Sequence, residues 1–393
     1  MTILYPIHER LMLRKARDAR IMRMAQAFAA QGHKIYLLVG KTGKREEEIL
    51  RYYGVPSSEK LAIRQIPILR SQGRIRFTIN EVFLWAALLQ ALRLRRIEPI
   101  QVLFFSVLEV ADFFLKRRKY FPGVRFIYEM HELSIYPENF HPSPSQRQEN
   151  NLEKKVLAHM DGVFTTTEAI RKVVVERFPH LPSATIPLGM IPAEATPPPF
   201  RGFGERVKIC YAGQLYEAQG LDILLKALAF LPQIEAHLIG GTFAECATLK
   251  KMAVEEGVST RVHFYGFVDP ASVPSLIRDM DIFIVPAKNT VRMNYVAHIK
   301  IYEYMASQRP IVATRLRSIT EEIEDGQTGI LVEPGNPQAL AEGIRRLISQ
   351  PALAQEIAQK AYERSQEYHW EKRVKRIVEF VQSVRPKSPV GVK

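Results

Sequence analysis

Short apolar runs alternate with helix-length amphipathic segments along most of this 393-residue chain, and that alternation leaves few folds open. In the second half the runs at 207–211, 236–239, 262–265, 282–285, 310–313 and 329–332 read as strands buried on both faces. Between them, residues 220–231, 244–256, 273–280, 299–306 and 337–348 carry helical spacing. Strand and helix in alternation with short connections predict an open parallel sheet with helices on both sides. The first half repeats the theme, with strands predicted at 3–5, 34–39, 102–105, 125–128 and 162–165. The expected class is α/β, with two Rossmann-like domains.

A boundary falls where neither element can continue. Residues 187–205 hold Pro187, Pro192, Pro197, Pro198 and Pro199 together with Gly189, Gly202 and Gly204, a composition that suits a semi-rigid linker. The expected division is an N-terminal domain over 1–186, the linker, a second domain over 206–368, and a C-terminal helix over 369–393. That last helix is expected to pack back on the first domain and to end in a frayed tail.

Composition narrows the setting. Cys210 and Cys246 cannot make a disulfide framework, which points to a reducing compartment. No residue cluster has zinc-ligand spacing, so no metal ligand is expected. No basic-then-apolar leader precedes the first strand, and the longest greasy stretch, 82–92, is broken by Gln90 and falls short of the roughly 20 residues of a membrane span. A cytoplasmic location is expected. The net charge of +14 is uneven: residues 1–200 hold 30 Lys/Arg against 19 Asp/Glu, so +11, and the remainder 25 against 22, so +3. A basic first half suits an anionic partner, either a membrane surface, a phosphorylated acceptor or nucleic acid; a merely solvated basic face is the alternative.

Two motifs are excluded. Gly40-Lys41-Thr42 resembles the end of a phosphate-binding P-loop, but Ile35 stands where its first glycine must be. No Gly-x-Gly-x-x-Gly follows the first strand, which argues against a nicotinamide oxidoreductase.

The most informative stretch runs His298-Ile-Lys-Ile-Tyr-Glu303-Tyr-Met-Ala-Ser-Gln-Arg-Pro-Ile-Val-Ala-Thr314, followed by Glu321-Glu-Ile-Glu-Asp-Gly-Gln-Thr-Gly-Ile-Leu-Val-Glu-Pro-Gly335. It resembles the donor-binding core of the retaining glycosyltransferases of family 4, also called glycosyl transferases group 1. In that family a helix carrying Lys-x-x-Glu-Tyr-Met-Ala precedes a Pro-Ile-Val-Ala strand. The resemblance covers 207–349 closely and the first half loosely. It implies a GT-B fold with a cleft between the domains: 1–186 binds the acceptor and 206–368 the nucleotide sugar. It also implies transfer that retains the anomeric configuration, with no tightly bound cofactor or metal.

Residue by residue, the resemblance gives Glu303 the ribose diol, a role that suits a carboxylate near a helix start. The backbone N–H groups of His298, Ile299 and Lys300 suit a diphosphate, and the Lys300 ammonium adds a point charge. Gly213, Gln214 and Gln219 lie in the segment resembling the family's first donor-domain loop. There the family places an Arg and a Lys against the diphosphate, and this chain has Gln214 and Gln219. Lys288, Arg292, or Arg14, Lys15 and Arg17 are candidates to replace the lost charge. Gln214→Arg combined with Gln219→Lys is expected to tighten binding. The first acid of the family's Glu pair is also missing, since Tyr295 occupies its place. Gly241 permits close backbone approach, while Phe267 and Val268 resemble the edge that faces the nucleobase. In the first half, His131 in Tyr128-Glu-Met-His-Glu-Leu133 resembles the cleft histidine that approaches the transferred sugar, with Glu132 as a second candidate. The loop 10–20 holds Arg14, Lys15, Arg17 and Arg20 where the family has glycines.

Residues 82–96 read as an amphipathic helix with Phe83, Leu84, Trp85, Leu88, Leu89 and Leu92 above Arg93, Arg95 and Arg96. A second basic cluster spans Lys116 to Lys119. Such a face suits peripheral contact with an anionic membrane, or equally a core-facing helix with a basic end. The expected partners are therefore a nucleotide sugar and a glycan, lipid-linked or small-molecule acceptor, with no nucleic acid. A GT-B scaffold weakened in donor binding and serving as a partner subunit is the rival reading.

Overall fold

The computed structural model describes residues 1–12, 16–68, 79–190, 197–200, 202–269 and 272–388. The chain forms two compact units, Met1–Gly189 with Trp370–Lys393, and Met190–His369. Each unit is built on one all-parallel sheet.

The first sheet contains β1 (Thr2–Arg10), β2 (Lys34–Gly40), β3 (Leu61–Ile66), β4 (Val102–Phe105), β5 (Arg125–Met130), β6 (Gly162–Thr165) and β7 (Ser183–Thr185). Their order is β3-β2-β1-β4-β5-β6-β7. All five predicted strands are present, and β3 and β7 join them as the two edges. Edge strands lack a neighbour on one side, so they need no continuous apolar run. β3 alternates buried and accessible positions around Arg64, and β7 is three half-buried residues. The strand predicted at 3–5 extends to Arg10, with a register shift between Ile7 and Arg10. The segment 10–20 is only in part a loop, because a helix begins at Ala16 and carries Arg17 and Arg20. Arg14 and Lys15 lie outside the described residues. The helix Trp370–Ser383 closes this unit, burying Trp370, Val374, Ile377 and Val381 in one cluster with Ile21, Phe28 and Ile186.

The helix Ile79–Ile97 divides its apolar side chains between two faces. Phe83, Leu84, Ala87, Leu88, Ala91 and Leu94 are buried, whereas Trp85 and Leu89 are 52% and 56% exposed. No helix among the described residues is long and apolar enough to cross a membrane.

The second sheet contains β8 (Val207–Ala212), β9 (Ile234–Ile239), β10 (Val262–Gly266), β11 (Ile282–Val285), β12 (Ile311–Thr314) and β13 (Ile330–Val332), in the order β10-β9-β8-β11-β12-β13. Its core joins Ile209, Tyr211 and Ile284 of the strands to Leu224, Leu228, Leu340 and Ile344 of the covering helices. Chain order reverses between β1 and β4 in one sheet and between β8 and β11 in the other. In such sheets the crevice beyond the strand ends at that reversal receives ligands.

Candidate active site

In the second unit, close backbone contacts shape the reversal point. Gly220 has φ +73°, and a Cβ there would stand 1.9 Å from the Pro286 carbonyl oxygen, so only glycine lets the β8 loop settle on the β11 loop. Gly240 has φ +110°, and its Cβ would stand 2.1 Å from the Gly213 carbonyl oxygen. The Gly213 amide donates to Ile239 (2.9 Å) and the Gly240 amide to Gly266 (2.8 Å), which ties together the carboxyl ends of β8, β9 and β10. Gly213 and Phe267 are thereby presented to solvent, while Gly241 and Val268 are half-buried beside them.

The helix Ile299–Ala306 follows β11 and buries nearly its whole circumference: Ile301, Tyr302, Tyr304, Met305 and Ala306. Two tyrosines set its rotation. The Tyr304 hydroxyl accepts from the Ala212 amide (2.7 Å) and its ring stacks on Phe283 with centroids 4.3 Å apart. The Tyr302 hydroxyl donates to Glu322 (2.9 Å). Lys300 and Glu303, one turn apart, share the face that is left.

Lys300 is half-buried, and its Nζ donates to the Tyr211 hydroxyl (2.6 Å) and to Gln219 Oε1 (2.5 Å). The Tyr211 hydroxyl also lies 2.6 Å from the Gln214 carbonyl and 2.8 Å from Gln219 Oε1, and with one proton it donates to one of them at a time. Desolvation pushes the Lys300 pKa down to about 7, against the pull of the Glu303 charge. The Glu303 carboxylate opens to solvent; desolvation raises its pKa and Lys300 opposes the rise. His298 is buried, with Nε2 3.2 Å from the Met293 carbonyl, and desolvation helped by Lys300 pushes it down to about 4. It is a neutral imidazole that donates to Met293. The Ile301 amide makes the first helical bond, to the His298 carbonyl (2.9 Å). The amides of Ile299 and Lys300 therefore lie ahead of the helical ladder, where a helix receives anions.

The expected replacement cations are placed as follows. Lys288 pairs with Glu217 (3.2 Å) and Asp222 (3.1 Å), and Arg292 is exposed on a short turn of helix. Gln214 is exposed, whereas Gln219 is buried against Lys300. Tyr295, which the resemblance sets at the place of the family's first acid, is buried and accepts from Arg317 (2.7 Å).

In the first unit, His131 follows β5 in a chain of charged groups. Its Nδ1 accepts from Arg20 (2.7 Å), and its Nε2 lies 3.3 Å from Glu129 Oε1. Glu129 accepts from Arg373 (2.7 Å), whose Nε donates to the Pro187 carbonyl (2.7 Å). Desolvation and Arg20 push His131 down to about 4, against Glu129. Glu129 is held well below the usual carboxylate range: desolvation acts to raise it, but His131, Arg20 and Arg373 together outweigh that. Glu132 is exposed. Sequence reasoning passed over Glu129 and Arg373; the available signal was a carboxylate at an interior position of the strand Arg-Phe-Ile-Tyr-Glu-Met.

Comparison with known proteins bears on this arrangement. Residues 19–193 match the signature of Glycosyltransferase Family 4, and residues 206–350 match that of Glycosyl transferases group 1. The chain belongs to the family 4 glycosyltransferases. Among curated proteins it is similar to the alpha-D-kanosaminyltransferase of Streptomyces kanamyceticus, 28% identical over 41% of each chain. It is also similar to the D-inositol 3-phosphate glycosyltransferase of Corynebacterium urealyticum, 25% identical over 67% of this chain and 66% of that one. The matched part thus spans between 41% and 66% of these relatives. Among solved structures, the sucrose-phosphate synthase of Thermosynechococcus elongatus superposes with a TM-score of 0.76 at 18% identity, covering 98% of both chains. Anabaena HepE in complex with UDP superposes with a TM-score of 0.74 at 17% identity, covering 98% of this family 4 chain and 100% of HepE. These likenesses show the GT-B fold.

Proposed function

We propose that this family 4 protein moves a sugar, with retention of anomeric configuration, from a nucleoside-diphosphate donor to a glycan, lipid-linked or small-molecule acceptor. The observation that carries the reading is the shared face of Lys300 and Glu303 at the strand reversal of the second unit. In the reaction the acceptor oxygen replaces the diphosphate oxygen at the anomeric carbon, and the acceptor proton leaves with the diphosphate. No protein base is assigned to that step. Glu303 accepts from the ribose hydroxyls, the amides of Ile299 and Lys300 with the Lys300 ammonium receive the diphosphate, and Gly241, Phe267 and Val268 line the nucleobase side. His131, neutral and engaged by Arg20 and Glu129, is a positioning residue near the acceptor side. No tightly bound cofactor or metal takes part in the proposed transfer.

The UDP in the HepE complex and the transferase names of the relatives support a nucleotide-sugar donor. The rival, a donor-binding-weakened partner subunit, draws on the Gln219–Lys300 contact, which occupies a cation that the diphosphate needs. Thermal-shift scans with UDP, GDP, ADP and TDP separate the two. The proposal expects one nucleotide to stabilise the protein in a concentration-dependent way, and stabilisation by none at millimolar levels sinks it.

Peripheral contact with an anionic membrane is proposed as the setting of the reaction. Trp85 and Leu89 stand out on the helix that also exposes Arg93, Arg96 and Ile97. Arg117 stacks over Trp85 (4.3 Å) and Phe113 (3.6 Å), joining the second basic cluster to the same face. Exposed aromatic and aliphatic groups within a basic rim fit a lipid surface.

A further inference from the structure

Glu235, His237 and His263 meet on one face of the second sheet, toward the amino ends of β9 and β10 and apart from the carboxyl-end loops of the candidate active site. Glu235 and His237 stand two residues apart on β9, so their side chains share a face. The parallel register sets His263 of β10 directly beside His237. The two imidazoles stack with centroids 4.7 Å apart and planes 24° from parallel. Glu235 Oε2 lies 3.9 Å from His263 Nε2, and one donor atom from each of the three residues falls within 4.8 Å of the others.

His237 is only 7% exposed, and its buried Nε2 has no hydrogen-bond partner among the described residues. A buried polar nitrogen left unpaired costs about 1–3 kcal/mol and needs a reason. The other ring nitrogen, Nδ1, lies 2.9 Å from the Tyr265 hydroxyl. With the proton on Nδ1 and donated to Tyr265, Nε2 keeps a lone pair that no described group engages.

We propose that Glu235, His237 and His263 form a binding site for a divalent transition-metal ion of the zinc type, with a fourth position for water. Two imidazoles and one carboxylate are a donor set that zinc takes. Tyr265 is the outer group that holds a ligating imidazole in one tautomer and orientation. Donors about 2.0–2.1 Å from one ion in tetrahedral array stand about 3.4 Å apart, so tips within 4.8 Å of one another close by up to about 1.4 Å. His263, with a half-exposed side chain on the edge strand, and Glu235 have the freedom to do so and leave an entry path.

The groups around the cluster set its competition. Arg206 pairs with Glu235 (3.1 Å) from an 81% exposed side chain, so it yields the carboxylate easily. Lys208 and Cys210 of β8 stand beside Glu235 and His237 in the strand register. Lys208 opposes a cation, and desolvation pushes the buried Cys210 thiol up to about 12. A bound ion ties the edge strand β10, which ends at Gly266 just ahead of Phe267 and Val268, to β9.

The test uses the full chain stripped with chelator and titrated with Zn²⁺ against a chromophoric competitor. Expected is one equivalent bound with Kd of about 1 μM or tighter. Protons compete for the imidazoles, so binding weakens from pH 7 to pH 5. Substituted Co²⁺ is expected to give the visible bands of a tetrahedral nitrogen and oxygen site. H263Q and E235Q are expected to weaken binding at least 100-fold. Y265F is expected to weaken it about tenfold, the lower end for an outer partner. R206A is expected to tighten it. H263Q alters a half-exposed side chain and is expected to keep the fold, so it decides the matter even where a buried His237 variant does not fold. Kd above about 100 μM for the intact chain, or an affinity unchanged in both H263Q and E235Q, overturns the proposal.

Discussion

Lys300 donates to the side-chain oxygen of Gln219 at 2.5 Å, and the Tyr211 hydroxyl completes the contact with Lys300 at 2.6 Å. By the family resemblance Gln219 takes the place of a lysine, so its amide reads in sequence as a lost cation. In the structure it is an acceptor that holds the Lys300 ammonium. A lysine at 219 would set a second ammonium beside the first in a pocket where Gln219 is only 6% exposed. The sequence-based expectation that Gln214→Arg and Gln219→Lys together tighten binding is therefore revised, and the two positions are predicted to part company.

Gln214→Arg is expected to strengthen binding of the preferred nucleoside diphosphate by roughly three- to tenfold at low salt. The side chain is exposed, and charge-assisted bonds outweigh neutral ones by about 1 kcal/mol or more. Gln219→Lys is expected to lower the thermal midpoint without strengthening binding. Calorimetry on each single variant checks the pair; tighter binding in Gln219→Lys would show that Lys300 is not the cation at the site.

Lys300 also predicts a pH dependence. Its pKa of about 7 leaves the free protein half charged there, and a diphosphate favours the charged form. Binding should take up a proton above pH 7. Affinity should fall by up to about tenfold per pH unit from 7 to 9, until the pKa of the complex is passed. Lys300→Met should bind weakly and lose this slope. Calorimetry in buffers of different ionisation heat counts the proton directly.

Glu303→Ala is expected to lower kcat/KM for the donor by about 100-fold or more, with the thermal midpoint little changed. In the proposed donor pose it removes a charged acceptor of two hydroxyls, while the buried helix face stays intact. Steady-state kinetics at limiting donor decide this: near-normal turnover in a folded variant removes Glu303 from the donor site.

Glu129 and Arg373 form a pair with 0% and 1% exposed side chains, so Arg373→Met leaves a buried carboxylate short of a partner. A loss of about 3–5 kcal/mol is expected in urea unfolding. His131 adds an acid limit. Its folded pKa of about 4 lies below the ordinary 6.5, so the folded form binds fewer protons between those values. Stability should be unaffected above pH 6.5 and fall progressively toward pH 4. His131→Asn should flatten that fall.

The exposed face of the helix Ile79–Ile97 predicts cosedimentation with vesicles rich in anionic lipid at low salt, weakening as salt rises. Changing Arg93 and Arg96 to Gln should reduce it severalfold, and Trp85→Ser should do so with less salt dependence. An unaltered pellet fraction in both variants rules this face out.

The amino-acid sequence by itself determined the two parallel sheets. Buried strands and amphipathic helices leave a local record in side-chain period, and the helix at 299–306 was legible to the residue for that reason. The edge strands β3 and β7 left almost no record, since a strand with one open side needs no unbroken apolar run. Helical period alone put Lys300 and Glu303 on one face. Only the tertiary structure decided what each side chain meets: Gln219 for Lys300, Arg373 for Glu129 across 244 positions, and His263 for His237 through strand register. Period is set by a residue's own backbone and burial, whereas a hydrogen-bond or metal-ligand partner is chosen by which distant segment the fold brings within about 3 Å.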